Sequence, residues 1–219
     1  TAHGEIPSLK ALKMGSKIDL WGINVYRWDN PTSIIDEWKK ISNKPFYFSE
    51  IGSDSYMTAT KDGFTKGENQ FAQAEANKKI ITSILNASND VSGLLIFQFV
   101  DGLWKAGNPN QQDIGGWAPN STGVPYDGTA NEEFWGIVDI NRNKKKTFEI
   151  IKKLENCKWE DLIYIGDNPA KDFVTLNKFG ANTIRVLTGE HRLVNTNDAY
   201  DAKFKINNYG SGNPLSLSN

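Results

Sequence analysis

Short apolar runs alternate with amphipathic stretches along most of the chain. Residues 18–26, Ile-Asp-Leu-Trp-Gly-Ile-Asn-Val-Tyr, read as a buried strand ending in polar Asn24 and Tyr26. Residues 32–41 place Ile34, Ile35, Trp38 and Ile41 on one helical face, with Thr32 or Ser33 available as N-cap. Residues 45–49 are aromatic or small and predict a second short buried strand, bounded by Pro45 and Gly52. Its first charge is Glu50, which falls at the strand's C-terminal end. Residues 70–87 give the clearest helix, with Phe71, Ala74, Ile80, Ile81 and Ile84 at helical spacing. Residues 93–100 predict a third buried strand, leading to Gln98, Asp101 and Trp104. Residues 105–133 lack periodicity and are rich in Gly, Pro, Asn and Trp. Trp117 and Tyr126, with Phe134 and Trp135 just beyond, predict that this loop is ordered and packed. Residues 144–154 predict a further helix.

Three strand-then-helix units without hairpin signals predict a parallel α/β arrangement, with polar and aromatic residues delivered at one end of the sheet. Ligands meet such sheets at the C-terminal ends of the strands. Glu50, followed by small Gly52, Ser53 and Ser55, can therefore point into a cleft; the plainer alternative is a glutamate opening a surface loop. Composition narrows the classes. Lys plus Arg number 25 against 26 Asp plus Glu, a balance that predicts no footprint for nucleic acid or an anionic membrane. No apolar run approaches the roughly 20 residues of a membrane span. Cys157 is the single cysteine, which excludes an intramolecular disulfide and a cysteine-based zinc site, and His3 and His191 are isolated in sequence. The opening, Thr1-Ala2-His3-Gly4-Glu5, reads like the middle of a longer chain.

The residue types at the strand ends suit sugar chemistry. A retaining glycosidase needs a carboxylate nucleophile and a second carboxylic acid about 5–5.5 Å apart. It also needs flat aromatic faces for the sugar rings and polar groups for their hydroxyls. Glu50 is accompanied by Asn24, Tyr26, Trp28, Trp104 and Trp117, and Tyr26 is placed to donate a hydrogen bond to ionised Glu50. The alternative for each tryptophan is core packing.

Residues 18–26, Phe46-Tyr-Phe-Ser-Glu-Ile-Gly52 and Phe97-Gln-Phe-Val-Asp-Gly-Leu-Trp104 together resemble the last third of the (β/α)₈ barrel of clan A retaining β-glycosidases. The nearest likeness is to the β-galactosidase/β-glucuronidase-type family and related β-glucan-active enzymes. Tyr126-Asp-Gly-Thr-Ala-Asn-Glu-Glu-Phe-Trp-Gly-Ile-Val-Asp-Ile140 is similar to the closing loop of the same barrels. The resemblance implies that Glu50 is the nucleophile at the end of barrel strand seven. Tyr26, after strand six, would orient it, and Trp104, after strand eight, would form the sugar platform. It implies a β-glycoside or β-glucan substrate and no cofactor. The clan's acid/base, a glutamate preceded by asparagine at the end of strand four, has no counterpart here. Asn131-Glu132 falls in the late loop, Glu68-Asn69 is in the wrong order, and His3 and Glu5 fall near the end of strand five. On this resemblance roughly the first half of the barrel is absent from the sequence, and a missing barrel half is a candidate partner.

The tail carries a second pattern. Trp159-Glu-Asp-Leu-Ile-Tyr-Ile-Gly-Asp-Asn-Pro-Ala-Lys-Asp-Phe173 reads as a helix end, a buried strand and a turn with Asp167 and Asp172 five apart. Residues 176–179 continue as a short helix ended by Gly180, and residues 183–187 read as the next strand. Strand-end acids at this spacing suit Mg²⁺; ordinary turn acids are the alternative. Gly166-Asp-Asn-Pro-Ala-Lys-Asp172 resembles the fourth motif of haloacid-dehalogenase-like (HAD) phosphohydrolases. That resemblance implies that Asp167 is a magnesium ligand supported by Asp172. The family's Asp-x-Asp nucleophile is missing, since neither Asp19 nor Asp54 has its context, and its lysine is left open among Lys144 to Lys146.

The expected fold class is α/β: a partial (β/α)₈ TIM barrel (strands five or six to eight) over residues 1–150, a partial Rossmann-like HAD segment over 151–206, and a flexible tail over 207–219. The expected function is that of a retaining β-glycosidase lacking its acid/base. The alternatives are a Mg²⁺-dependent phosphohydrolase and a non-catalytic carbohydrate-binding remnant.

Overall fold

A computed structural model describes residues 2–27, 29–103, 108–115, 117–119, 126–155, 158–161, 163–169, 172–188, 190–197 and 200–206. The chain divides into two compact units, Thr1–Leu154 and Glu155–Asn219. Each is a mixed α/β unit built on a parallel sheet. Among the described residues no helix is long and apolar enough to cross a membrane.

The first unit runs β1 (Ala2–Gly4), α1 (Leu9–Met14), β2 (Trp21–Asn24), α2 (Ser33–Lys39), β3 (Phe46–Ile51), β4 (Tyr56–Met57), β5 (Gly67–Glu68), α3 (Gln70–Asn86), β6 (Leu94–Ile96), β7 (Trp117–Pro119), β8 (Thr129–Asn131) and α4 (Lys146–Glu155). β1, β2, β3 and β6 form one parallel sheet in that order. Trp21, Ile23, Phe46, Phe48 and Ile51 bury one face of it against Ile34, Ile35 and Trp38 of α2 and Ile80 and Ile84 of α3. Trp38 packs tilted on Trp21 and Phe46, at ring-centroid distances of 6.0 and 5.5 Å.

Several elements differ from the sequence expectation. The apolar runs at 18–26 and 93–100 contribute only four and three strand residues, Trp21–Asn24 and Leu94–Ile96. The front of the first run is spent leaving α1, with Asp19 and Leu20 exposed. Helix α3 is capped by Asn69, whose side chain accepts the Ala72 N–H. Phe71 is turned outward and 63% exposed, with the Lys146 ammonium over its ring. Small Ala72, Ala74 and Ala76 take the buried face instead. Thr32 sits at the N-cap of α2 without a side-chain cap bond, and the Ser33 hydroxyl bonds to Asn30 O and Arg27. Two antiparallel ribbons, β4·β5 and β7·β8, were not foreseen, because strands of two or three residues are too short to show alternation. β1 falls where the resemblance puts the end of strand five, whereas α1, six residues long, is too short to show a helical period.

A buried polar frame holds the strand-end loops of this unit. Lys145 and Asp101, both essentially inaccessible, pair at 3.0 and 3.2 Å. The same ammonium donates to Phe134 O, and Asp101 Oδ1 also accepts the Gly136 N–H at 2.7 Å. Phe134 O further accepts from Ser55 N, and Gln73 Nε2 donates to Ser53 O and Gly136 O. A Cβ at Gly136 would collide with the backbone nitrogen of Asp101, so only glycine lets the two segments approach this closely. Burial pushes Asp101 up and Lys145 down, each against the attraction of its partner. Asp101, a strand-end candidate in the sequence, is therefore a structural tie. Lys145 has its ammonium bonded entirely within this unit, so it is not a free phosphate-neutralising lysine.

The second unit has a 3₁₀ turn (Trp159–Asp161), β9 (Ile163–Gly166), α5 (Val174–Phe179), β10 (Asn182–Val186) and β11 (Phe204–Ile206), with its sheet in the order β11-β10-β9, all parallel. Gly180 ends α5 at φ 91°, returning its N–H to Asn177 O and Leu176 O. Trp159 stacks on Phe179 at 4.6 Å. β11 lies in a stretch whose composition gave no strand signal. Residues 207–219, expected to be a flexible tail, lie outside the described residues.

Asp54 is fully buried in the first unit, with Oδ1 accepting the Tyr56 N–H. Burial pushes its carboxyl well above the ordinary carboxylate range. The native state then holds a proton that the unfolded chain releases from about pH 4 upward. Asp54's contribution to stability is fully present below that pH and is lost as pH rises toward the raised native value. Asp54→Asn should therefore gain stability relative to the parent as pH rises from about 4 to 7, read as a urea midpoint that climbs relative to the parent's. A difference that stays constant with pH would contradict this assignment.

Candidate active site

Glu50 reaches its position through an irregularity in β3. Phe46 and Phe48 face the core, and strict alternation would send Glu50 after them. Instead the register with β2 slips: Ile23 opposes Phe48, but Asn24 opposes Glu50. On the other side Phe48 opposes Leu94 and Ile51 opposes Ile96. The extra residue lets Ile51 rejoin the core and re-aims Glu50 away from it, as a β-bulge does. Val25 N bonds to Glu50 O at 2.9 Å, fixing the backbone on the β2 side.

The Tyr26 hydroxyl donates to Glu50 Oε2 at 2.7 Å. Burial, the hydrogen bond to Glu50 and its charge, and the charge of Glu132 all raise the Tyr26 phenol above its ordinary value. Tyr26 is thus a neutral donor to Oε2, and that bond leaves Glu50 Oε1 aside. The Tyr26 ring is held edge-on by Trp135, at 5.1 Å and 88°, and by Phe97, at 6.5 Å and 90°. Close by, Gly52 leaves no room for a Cβ beneath Phe97 O and lies against the Trp135 ring.

Asn24 sits directly beside Glu50 in the ladder, but its Oδ1 accepts the Ser49 hydroxyl at 2.7 Å, so its Nδ2 is the group it can offer a ligand. Glu5 N bonds to Asn24 O, yet the Glu5 carboxylate turns to Arg27, which also binds Glu37 and Ser33. Those two carboxylates hold the Arg27 guanidinium firmly charged. Glu5 therefore belongs to a strand-end ion cluster rather than to Glu50. Trp28 and Trp104 lie outside the described residues, and so does the side chain of Trp117, whose backbone pairs with Asn131 in the β7·β8 ribbon.

The structure thus brings Asn24, Tyr26 and Glu50 together and adds residues the sequence had assigned only to strand or loop packing. Phe97 and Trp135 wall the tyrosine. Glu132, from the pair set aside as late-loop, lies near enough for its charge to act at the Tyr26 hydroxyl. The available signal was the density of aromatics near residues 126–135, whose partner could not be read without the fold.

In the second unit Asp167 follows β9, and its Oδ2 accepts the His191 N–H at 3.2 Å and meets His191 Nδ1 at 3.3 Å. His191, isolated in sequence, is thus Asp167's neighbour. Burial pushes the Asp167 carboxyl up, but the His191 N–H, ring and charge outweigh it and leave the group below its usual range. Asp172 Oδ2 accepts the Asn168 N–H at 2.9 Å and Oδ1 faces the Tyr164 hydroxyl, so this carboxylate closes its own turn. Among the described residues no three His, Cys, Asp or Glu side chains gather as a metal site. Asp167 can offer one carboxylate to a hard ion, with Asp172 bracing the loop behind it.

No family model matches this sequence, and no curated protein matches it. Among solved structures, the chain is similar to a β-D-glucuronidase of Dictyoglomus thermophilum, at 20% identity and a TM-score of 0.45 over 71% of this chain and 25% of that one. It is also similar to a β-glucuronidase of Ruminococcus gnavus in complex with D-glucuronic acid, at 20% identity and a TM-score of 0.46 over 70% of this chain and 25% of that one. A third is a GH2 β-galacturonidase of Eisenbergiella tayi bound to glycerol, at 20% identity and a TM-score of 0.39 over 62% of this chain and 23% of that one. The chain spans about a quarter of the length of these structures.

Proposed function

We propose that the first unit is the nucleophile-bearing part of a retaining β-glycosidase acting on a β-glycoside or β-glucan. The observation that carries this is the 2.7 Å bond from the Tyr26 hydroxyl to Glu50 Oε2 at the C-terminal ends of adjacent parallel strands. In this reading β2, β3 and β6 stand for barrel strands six, seven and eight, and β1 for strand five. Glu50 Oε1 attacks the anomeric carbon, the bond to the leaving oxygen breaks, and a glycosyl ester forms. Tyr26 keeps Oε2 bonded, so one oxygen holds its place while the other reacts. Water then hydrolyses the ester with retention. Trp28, Trp104 and Trp117 would supply the sugar platform, and Asn24 a hydroxyl contact. The acid that protonates ordinary leaving groups would come from another part of the enzyme; a dinitrophenyl leaving group needs none.

A second reading applies to the second unit alone. It rests on the turn after β9, where Asp167 stands at the strand end and Asp172 braces it. This suits a Mg²⁺-dependent phosphohydrolase site in which Asp167 is a ligand and water completes much of the shell. Bound there, the ion would offset phosphate charge. Asp167 would hold it, and Asp172 would keep the loop in shape.

With dinitrophenyl β-glycosides as substrates, Glu50→Gln should reduce turnover to background. Tyr26→Phe should cost roughly ten- to a hundredfold, the effect of one hydrogen bond to a charged group. Full activity in Glu50→Gln would sink the first reading, and sugar binding without turnover would favour the non-catalytic alternative. For the second unit, Mg²⁺-dependent phosphate release from an aryl phosphate should disappear in Asp167→Asn. Release that is insensitive to both the metal and the substitution would rule that reading out.

A further inference from the structure

We infer that Trp135 is a positioning residue for the Tyr26–Glu50 pair, coupling the buried polar frame to the nucleophile. The assignment rests on the glycosidase reading for its catalytic consequence, but its physical basis is separate. Trp135 is 3% exposed, and among the described residues its indole N–H has no hydrogen-bond partner, so its placement rests on packing. The backbone on either side is fixed. Phe134 O accepts from Lys145 and Ser55, Trp135 O accepts the Gln98 N–H, and Gly136 bonds to Asp101 and Gln73. The indole packs beside Ala130 and Gly52 and makes two edge-on or tilted ring contacts, with Tyr26 at 5.1 Å and 88° and with Phe97 at 6.0 Å and 63°.

Edge-to-face pairs of this kind contribute about 0.5–1.5 kcal/mol and impose an orientation. Tyr26 leaves β2 after Asn24 and has its hydroxyl on Glu50, so its ring needs a wall to keep that direction. Trp135 and Phe97 supply it from two loops distant in sequence. The contact runs from frame to backbone, from indole to phenol and from phenol to carboxylate. Trp135 touches no reacting atom in this scheme; it acts through Tyr26.

The test uses the whole chain with its tyrosines isotope-labelled at Cζ, the carbon that reports the hydroxyl's hydrogen bond. The Tyr26 resonance is the one missing from Tyr26→Phe. Glu50→Gln and Trp135→Ala should both move it, whereas Trp135→Phe, which keeps a ring edge and loses only the unpartnered N–H, should restore it. If Trp135→Ala does not fold, Trp135→Leu fills the space without the aromatic edge and should move the same resonance. On dinitrophenyl glycosides, Trp135→Ala should lower kcat about tenfold with KM little changed, and should add nothing to Tyr26→Phe. The inference is overturned if Trp135→Ala leaves the resonance in place while Glu50→Gln moves it, or if the two kinetic losses multiply. Absence of turnover in every form, with the resonance responding as stated, would overturn the glycosidase reading and leave the coupling supported.

Discussion

The contact between Lys145 and Asp101 is the constraint on which the strand-end architecture depends. Both groups are out of water, and deleting one partner of such a pair typically costs about 3–5 kcal/mol because the other is left charged and unpaired. The pair does more than cancel charge. Through Phe134 O and the Gly136 N–H it fixes the one loop that brings Trp135 to the aromatic wall of Tyr26. Ser55 and Gln73 join the same loop to the segment following Glu50. The nucleophile candidate and its tyrosine thus sit between strands on one side and a buried polar frame on the other.

The second constraint is local and geometric. β3 must bury Phe46, Phe48 and Ile51, a spacing that strict alternation cannot satisfy. The slip at Ser49 and Glu50 resolves the conflict and leaves the glutamate off the core face. The same slip places Glu50 opposite Asn24 and within reach of Tyr26 two residues on. Position and chemistry therefore follow from one register change, and the tyrosine's burial keeps it protonated as a donor.

How far the sequence reached depended on what its signals encode. The apolar runs and the Ile34, Ile35, Trp38 stripe identified the parallel strands and α2, because burial on one face leaves a periodic mark. Glu50 and Tyr26 were legible as a pair because each falls at the C-terminal end of an apolar run, Glu50 as the first charge after it and Tyr26 as its last residue. The frame was not. Gln73, Asp101 and Lys145 are far apart in sequence, and no pattern links them to one another or to Gly136 until the fold closes around them. Phe71 misled because its spacing fits the helix, yet the alanines beside it pack closer and displace it to solvent. His191 beside Asp167 could not be read either, since 24 residues separate them and no pattern links them.

On the proposed glycosidase reading, Glu50 attacks a sugar. The most direct measurement is to incubate the chain with a dinitrophenyl glycoside bearing fluorine beside the anomeric carbon, then map any adduct by peptide mass. Fluorine slows breakdown of a glycosyl ester more than it hinders trapping it, and the leaving group needs no acid. The expected result is one sugar per chain, attached at Glu50. An adduct at another carboxylate, or none with any of a panel of sugars, would contradict it.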